Sequence, residues 1–171
     1  GLIGGSLALA LKKARFVRTI VGVGRSQVNL DLAKDLKMID VIATNLSEAI
    51  TEADLIVLAA PLGVTRQLFQ ELKPIMSEKT VVTDVGSVKS GVVDDAREQL
   101  GSLFSRFVPG HPIAGSEAKG PKAAFADLFL NHHVLLTPVP ETDPGAVELV
   151  KKMWRAAGAR VTLLSHSGHD Q

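Results

Sequence analysis

His111 is the side chain in this sequence whose neighbours best suit it to move a proton. It stands between Gly110 and Pro112 at the head of the octapeptide GHPIAGSE. Free imidazole titrates at about pH 6.5, which suits general acid–base work at neutral pH. Pro112 fixes its own φ and biases the residue before it towards an extended conformation. Gly110 and Gly115 permit tight turns on either side, so the ring is expected on a constrained loop at a strand end. The same octapeptide also fits a plain turn whose histidine closes a strand, since loops carry structure as well as function.

A second pattern concerns phosphate. Gly1-Leu2-Ile3-Gly4-Gly5-Ser6 precedes a strongly helix-forming run at residues 7–11. Glycines spaced in this way match the last two of a GxGxxG loop, where the backbone meets a pyrophosphate at a helix N-terminus. Half a motif fits equally well a helix start that needs small residues for close packing. Gly24-Arg25-Ser26 lies where a dinucleotide fold closes its second strand, about 20 residues on. Chains that prefer NAD place an acidic residue there, against the ribose. Arg25 instead suits a 2′-phosphate, and Ser26 adds a donor. The cofactor reading therefore leans to NADP, with NAD possible; an ordinary surface arginine is the alternative. His132 and His133 are adjacent and point apart on a strand. His166 and His169 have only Asp170 near them, and no metal site is expected.

The elements that must position these groups appear as an alternation. Strand-like runs at 19–23, 41–43, 54–60, 80–83, 104–108, 133–137 and 160–164 alternate with helical patterns. The helices are expected at 28–38, 45–50, 64–72, 91–100 and 121–130, with a last one opened by Asp143-Pro144. The continuous apolar run at 54–60 predicts a strand buried on both faces of a parallel sheet. Phe125 and Phe129 are expected on one buried face, and Val147, Val150, Trp154 and Ala157 on another. The whole predicts an α/β fold with a doubly wound, mostly parallel sheet. Its first strand is expected to be missing before Gly1. Residues 1–165 would form a dinucleotide-binding domain and 166–171 the start of a further region. Such sheets bind ligands at the carboxyl ends of their strands, so the tips carrying Pro61, Ser87 and His111 are expected to line one crevice.

Composition sets outer bounds. Of 171 residues, 46% are hydrophobic and 22% charged, the balance of a globular chain. A formal charge of +1 gives no support to binding nucleic acid or an anionic membrane. The absence of cysteine removes disulfides and thiolate chemistry and fits a cytoplasmic protein. No apolar run reaches membrane-spanning length.

With GLIGGS at Gly1, APL at Ala60, DVGSVK at Asp84, GHPIAGSE at Gly110 and HDQ at His169, the chain resembles the dinucleotide-binding domain of the prephenate/arogenate dehydrogenase family. The resemblance covers essentially the whole sequence and implies a Rossmann-like fold. It implies oxidative decarboxylation of prephenate or arogenate in tyrosine biosynthesis. His111 would take the proton of the substrate hydroxyl. Ser87 would bond that hydroxyl or orient the imidazole, and Glu117 would lie near the substrate entrance. Gly1, Leu2, Ile3 and Gly4 would hold the pyrophosphate, with Ala60 and Pro61 beside the cofactor ribose and Gly86 adjoining the cofactor. Lys89 would lie near the site without a firm role. The resemblance also implies a homodimer formed through a helical domain after His169. Two alternatives stand beside it. A β-hydroxyacid dehydrogenase would use a catalytic lysine on a later helix. A non-catalytic dinucleotide-sensing module would need the glycine loop and Arg25 but neither Ser87 nor His111.

Overall fold

The computed structural model describes residues 1–114 and 123–165. It opens with α1 (Leu2–Lys13), β1 (Val21–Gly22), α2 (Gln27–Asp35), β2 (Val41–Ile42) and α3 (Leu46–Ile50). Then come β3 (Leu55–Leu58), α4 (Leu62–Leu72), β4 (Val81–Asp84) and α5 (Ser90–Leu100). A 3-10 segment, Gly101–Arg106, leads into β5 (Phe107–Val108), β6 (Gly110–Pro112) and β7 (His133–Leu136). Helix α6 (Pro144–Ala156) and β8 (Arg160–Leu163) complete the order. Strands β3, β4 and β5 run parallel, with Leu55 opposite Val81 and Val82 opposite Phe107. Strands β1 and β2 form a separate parallel ladder. Strand β7 takes β6 antiparallel on one side and β8 parallel on the other.

Adjacent residues of β4 divide the core. Val81 packs with Leu7 and Leu11 of α1 and with Val150, Met153 and Trp154 of α6. Val82 packs with Phe69 of α4 and with Val93 and Ala96 of α5. Successive strand residues face opposite sides, so helices cover this sheet on both faces and the doubly wound expectation holds. An edge-to-face pair marks each side: Phe129 with Trp154, and Phe69 with Phe107, both with centroids 5.0 Å apart. Helix α6 follows its sequence pattern closely. The Asp143 carboxylate accepts the Ala146 N–H at 3.1 Å, Pro144 takes the first position, and Val147, Val150, Trp154 and Ala157 are all buried.

Several expectations need correction. Strand β3 is not buried on both faces: Leu55, Ile56 and Val57 are half-buried and only Leu58 is fully covered. Among the described residues it pairs with β4 alone, which leaves its other edge without a neighbour. Helix α2 stops at Asp35 rather than Met38, where Lys37 turns the chain with φ +63°. Residues 104–106 belong to the 3-10 segment rather than a strand. Gly101, with φ +54°, ends α5 and starts a turn that buries Phe104. Residues 126–131 form turns rather than a helix, held by three-residue bonds such as Leu128 N–H to Phe125 O. The Ser6 hydroxyl takes the Phe125 N–H at 3.1 Å, and Phe125 is exposed while Phe129 is core. The expectations for 121–122 and 166–171 lie outside the described residues. Among the described residues, no helix is long and apolar enough to cross a membrane. Nor do they contain a group of three His, Cys, Asp or Glu placed to hold a metal ion.

Candidate active site

The first turn of α1 has Gly1 as its cap, without a side-chain cap bond or an acidic residue. The N–H groups of a first turn have no intrahelical acceptor, so this one offers donors to an anion. A Cβ on Gly1 would meet nothing within 4 Å, whereas a Cβ on Gly4 would lie 3.0 Å from the Ala59 Cβ. Gly4 therefore seats α1 against the end of β3. The close-packing reading holds for Gly4. A first turn with neither a side-chain cap bond nor an acidic residue fits a pyrophosphate.

The tips of β3 and β4 meet next. Ala60 is half-buried and Pro61 exposed, and Pro61 stands as the cap of α4. A Cβ on Gly86 would lie 2.9 Å from Leu62 Cδ2 and 3.0 Å from Asp84 Oδ2. Glycine at 86 thus lets the start of α4 close on the loop that carries Ser87, which is itself exposed.

Asp84 and Lys89 tie that loop to the histidine. Asp84 Oδ2 accepts the Gly86 N–H at 3.1 Å and a hydrogen bond from the Lys89 ammonium. Asp84 Oδ1 accepts the Gly110 N–H at 3.0 Å. Lys89 Nζ also donates to the Gly110 carbonyl at 2.8 Å. Lys89 is wholly buried and Asp84 is 3% exposed. A charged pair this deep needs nearly all its hydrogen-bonding capacity filled, and the two Gly110 backbone groups contribute to that.

His111 differs from its expected setting. It is half-buried and lies within β6, opposite Leu135 of β7, rather than on a loop. Flanking bonds extend the pairing: Thr137 N–H to Pro109 O at 3.0 Å and Ile113 N–H to His133 O at 2.8 Å. Gly110 serves close approach rather than a tight turn, since a Cβ there would lie 3.0 Å from the Asp84 carbonyl oxygen. Gly115 and Glu117 lie outside the described residues. Arg25 is exposed just after β1, and Ser26 caps α2, its Oγ accepting the Asn29 N–H at 3.2 Å. That leaves the Ser26 hydroxyl proton for an incoming acceptor. A hollow of about 260 Å³ lies at the opposite ends of β4 and β5, lined by Glu78 and Arg106 among others. It includes neither Ser87 nor His111.

Residues 7–163 match the family described as prephenate dehydrogenase, nucleotide-binding domain. The chain belongs to that family. It is 38% identical over 171 residues to the prephenate dehydrogenase of Bacillus subtilis, covering 99% of this chain and 46% of that one. It is 34% identical over 170 residues to the cyclohexadienyl dehydrogenase of Zymomonas mobilis, covering 99% and 57%. Among solved structures it is similar to prephenate dehydrogenase from Aquifex aeolicus in complex with hydroxyphenyl propionate and NAD+. The TM-score is 0.92 at 35% identity, over 99% of this chain and 58% of that one. The chain thus spans about half the length of the curated relatives it matches.

Within this family domain, the sequence pointed to the two motifs but not to the bond between them. On sequence grounds Asp84 is no candidate and Lys89 has no firm role. The available signal was a lysine five residues after an aspartate, in a stretch otherwise made of glycine, serine and valine.

Proposed function

We propose that the full-length protein is an NAD(P)-dependent dehydrogenase that oxidatively decarboxylates prephenate or arogenate. The observation that carries this reading is a pair of hydrogen bonds at Gly110, whose N–H donates to Asp84 and whose carbonyl accepts from Lys89. They hold the Ser87 loop against the strand of His111 in a chain of the prephenate dehydrogenase family. The NAD+ bound to the Aquifex relative supports a nicotinamide dinucleotide here, held by the first turn of α1 with Ala60, Pro61 and Gly86 nearby.

When bound, the nicotinamide supplies the hydride acceptor. A ring nitrogen of His111 takes the hydroxyl proton of the substrate as hydride leaves the carbon bearing it. Ser87 hydrogen-bonds the same oxygen and fixes its distance from the imidazole. The ring carboxylate departs as CO2, its bonding pair enters the ring, and the oxygen regains a proton as a phenol. Glu117 is assigned to the substrate entrance. Arg25 and Ser26 favour NADP, because the run Gly24-Arg25-Ser26 carries no acidic residue to repel a 2′-phosphate and both side chains can donate to it.

The same reading makes residues 1–165 the dinucleotide-binding domain and places the homodimer interface in a region after residue 165, which sedimentation of the full-length protein checks. The deciding experiment is a steady-state assay of the full-length protein with each substrate and each cofactor. Turnover of a cyclohexadienyl substrate is expected. Dinucleotide binding without hydride transfer to either substrate would favour the sensing module instead.

A further inference from the structure

Both polar groups of the Gly110 backbone are taken by one buried ion pair. Its N–H goes to Asp84 and its carbonyl to Lys89. The same aspartate holds the Gly86 N–H. Gly86 immediately precedes Ser87, and Gly110 immediately precedes His111. One pair therefore grips the main chain a single residue before each of the two groups assigned to the substrate hydroxyl. Side chains on adjacent residues inherit the position of that main chain. A fault of about 1 Å in such a constellation is enough to cost on the order of 10²-fold in rate.

Stability alone is a poor account of this arrangement. Two buried charges cost much desolvation, and a matched apolar pair often folds as well or better. An apolar pair would still fill the space, but it could not hold an N–H and a carbonyl at once. What the ion pair adds is directional bonding to Gly110 and Gly86.

We infer that Asp84 and Lys89 are positioning residues for the hydride-transfer site: their ion pair sets the register of Ser87 against His111. This rests on the reaction proposed above. The pair touches neither substrate nor cofactor in this account; it acts through the backbone of Gly86 and Gly110.

The test uses the full-length enzyme with Lys89→Met, Asp84→Leu and the double variant, which is the apolar pair, each followed by thermal melting and by kcat and KM. Lys89→Met leaves a buried carboxylate unpaired and is expected to lower the melting temperature. The double variant removes both charges and should recover much of that loss. Its kcat should nonetheless stay on the order of 10²-fold below wild type, with the dinucleotide KM changed less than about threefold. The two single losses in kcat should not multiply, since residues acting as one unit are non-additive. Turnover that recovers together with melting temperature would overturn the inference and leave the pair as part of the fold alone. Amide exchange at Gly86 and Gly110 provides a readout independent of turnover. Faster exchange at both is expected in the double variant even where melting is restored, and unchanged exchange would also overturn the inference. A wild-type enzyme inactive on both cyclohexadienyl substrates would instead refute the proposed reaction, and the exchange result would still report on the clamp.

Discussion

Helix α2 buries none of its residues, whereas β4 buries all four of its own. The two regions bracket the dinucleotide-binding surface proposed here. One carries Arg25 and Ser26; the other delivers Ser87 and, through Gly110, His111. The first is moored by surface contacts. Lys12 of α1 reaches Asp40 at 2.7 Å, and Asp40 takes the Ile20 N–H at 2.8 Å. The second is anchored by an internal ion pair between cores on both faces of the sheet. The difference follows the work proposed for each. A proton and a hydride must be transferred at fixed short distances, while a guanidinium on a phosphate works over a wider range of geometry.

The largest test of this contrast is mechanical. Trp154 is wholly buried against Phe129, and Trp154→Ala should cost about 3–5 kcal/mol of stability. Val28 of α2 is 77% exposed, and Val28→Ala should stay within about 0.5 kcal/mol. Denaturant titrations of both variants check this, and similar losses would erase the distinction between the regions.

The next test concerns chemistry at the anchored end. His111→Asn in the full-length enzyme should lower kcat on the order of 10²-fold, with little change in the dinucleotide KM. Near-normal turnover would remove His111 from the proposed reaction.

A smaller effect is expected at the loosely moored end. Arg25→Ala should lower kcat/KM with NADP by roughly tenfold, about 1.5 kcal/mol, the lower end for a charged hydrogen bond. The value with NAD should hardly move. Equal losses with both cofactors would mean that the guanidinium stacks on adenine rather than reading the phosphate.

The smallest effect lies in the mooring itself. The Lys12 ammonium, aided by the Ile20 N–H, holds the Asp40 carboxyl below its usual range. The folded value lies below the unfolded one. The stabilisation is therefore complete above about pH 4 and is lost as pH falls through the folded value. Asp40 is 39% exposed at its side chain, so Asp40→Asn should cost at most about 1 kcal/mol at pH 7. Urea titrations at neutral and acid pH should show that difference fading in acid. A difference that persists unchanged there would assign it to the neutral hydrogen bond with Ile20.

Local pattern made one part of this molecule legible and long-range pairing hid another. Asp143, Pro144 and the apolar positions of α6 declared the helix, because cap, first-turn proline and period act within a few residues. The alternation of strands and helices gave the sheet for the same reason. The antiparallel pairing of His111 with Leu135 depends on residues 24 apart, and no local period records it. The turns at 126–131 stand where a helix is expected, and the Phe125 amide beside them goes to Ser6, 119 residues away. Lys89 was the hardest to read. A lysine normally signals solvent, and its place inside rests on groups distant in sequence, the Gly110 carbonyl among them.

The shallow seat of α2 has a consequence for how such a chain can change over generations. Substitutions between Arg25 and Lys37 put little folding free energy at stake, so selection there answers chiefly to what the surface binds. If Arg25 and Ser26 read the cofactor as proposed, cofactor choice can drift by single steps without passing through an unfolded ancestor. Asp84, Lys89 and Gly110 allow no such gradual route, because altering any one strands a buried charge or forces the backbone apart. On the proposed reading, novelty in this domain should enter at the nucleotide end and leave the end of Ser87 and His111 as it was inherited.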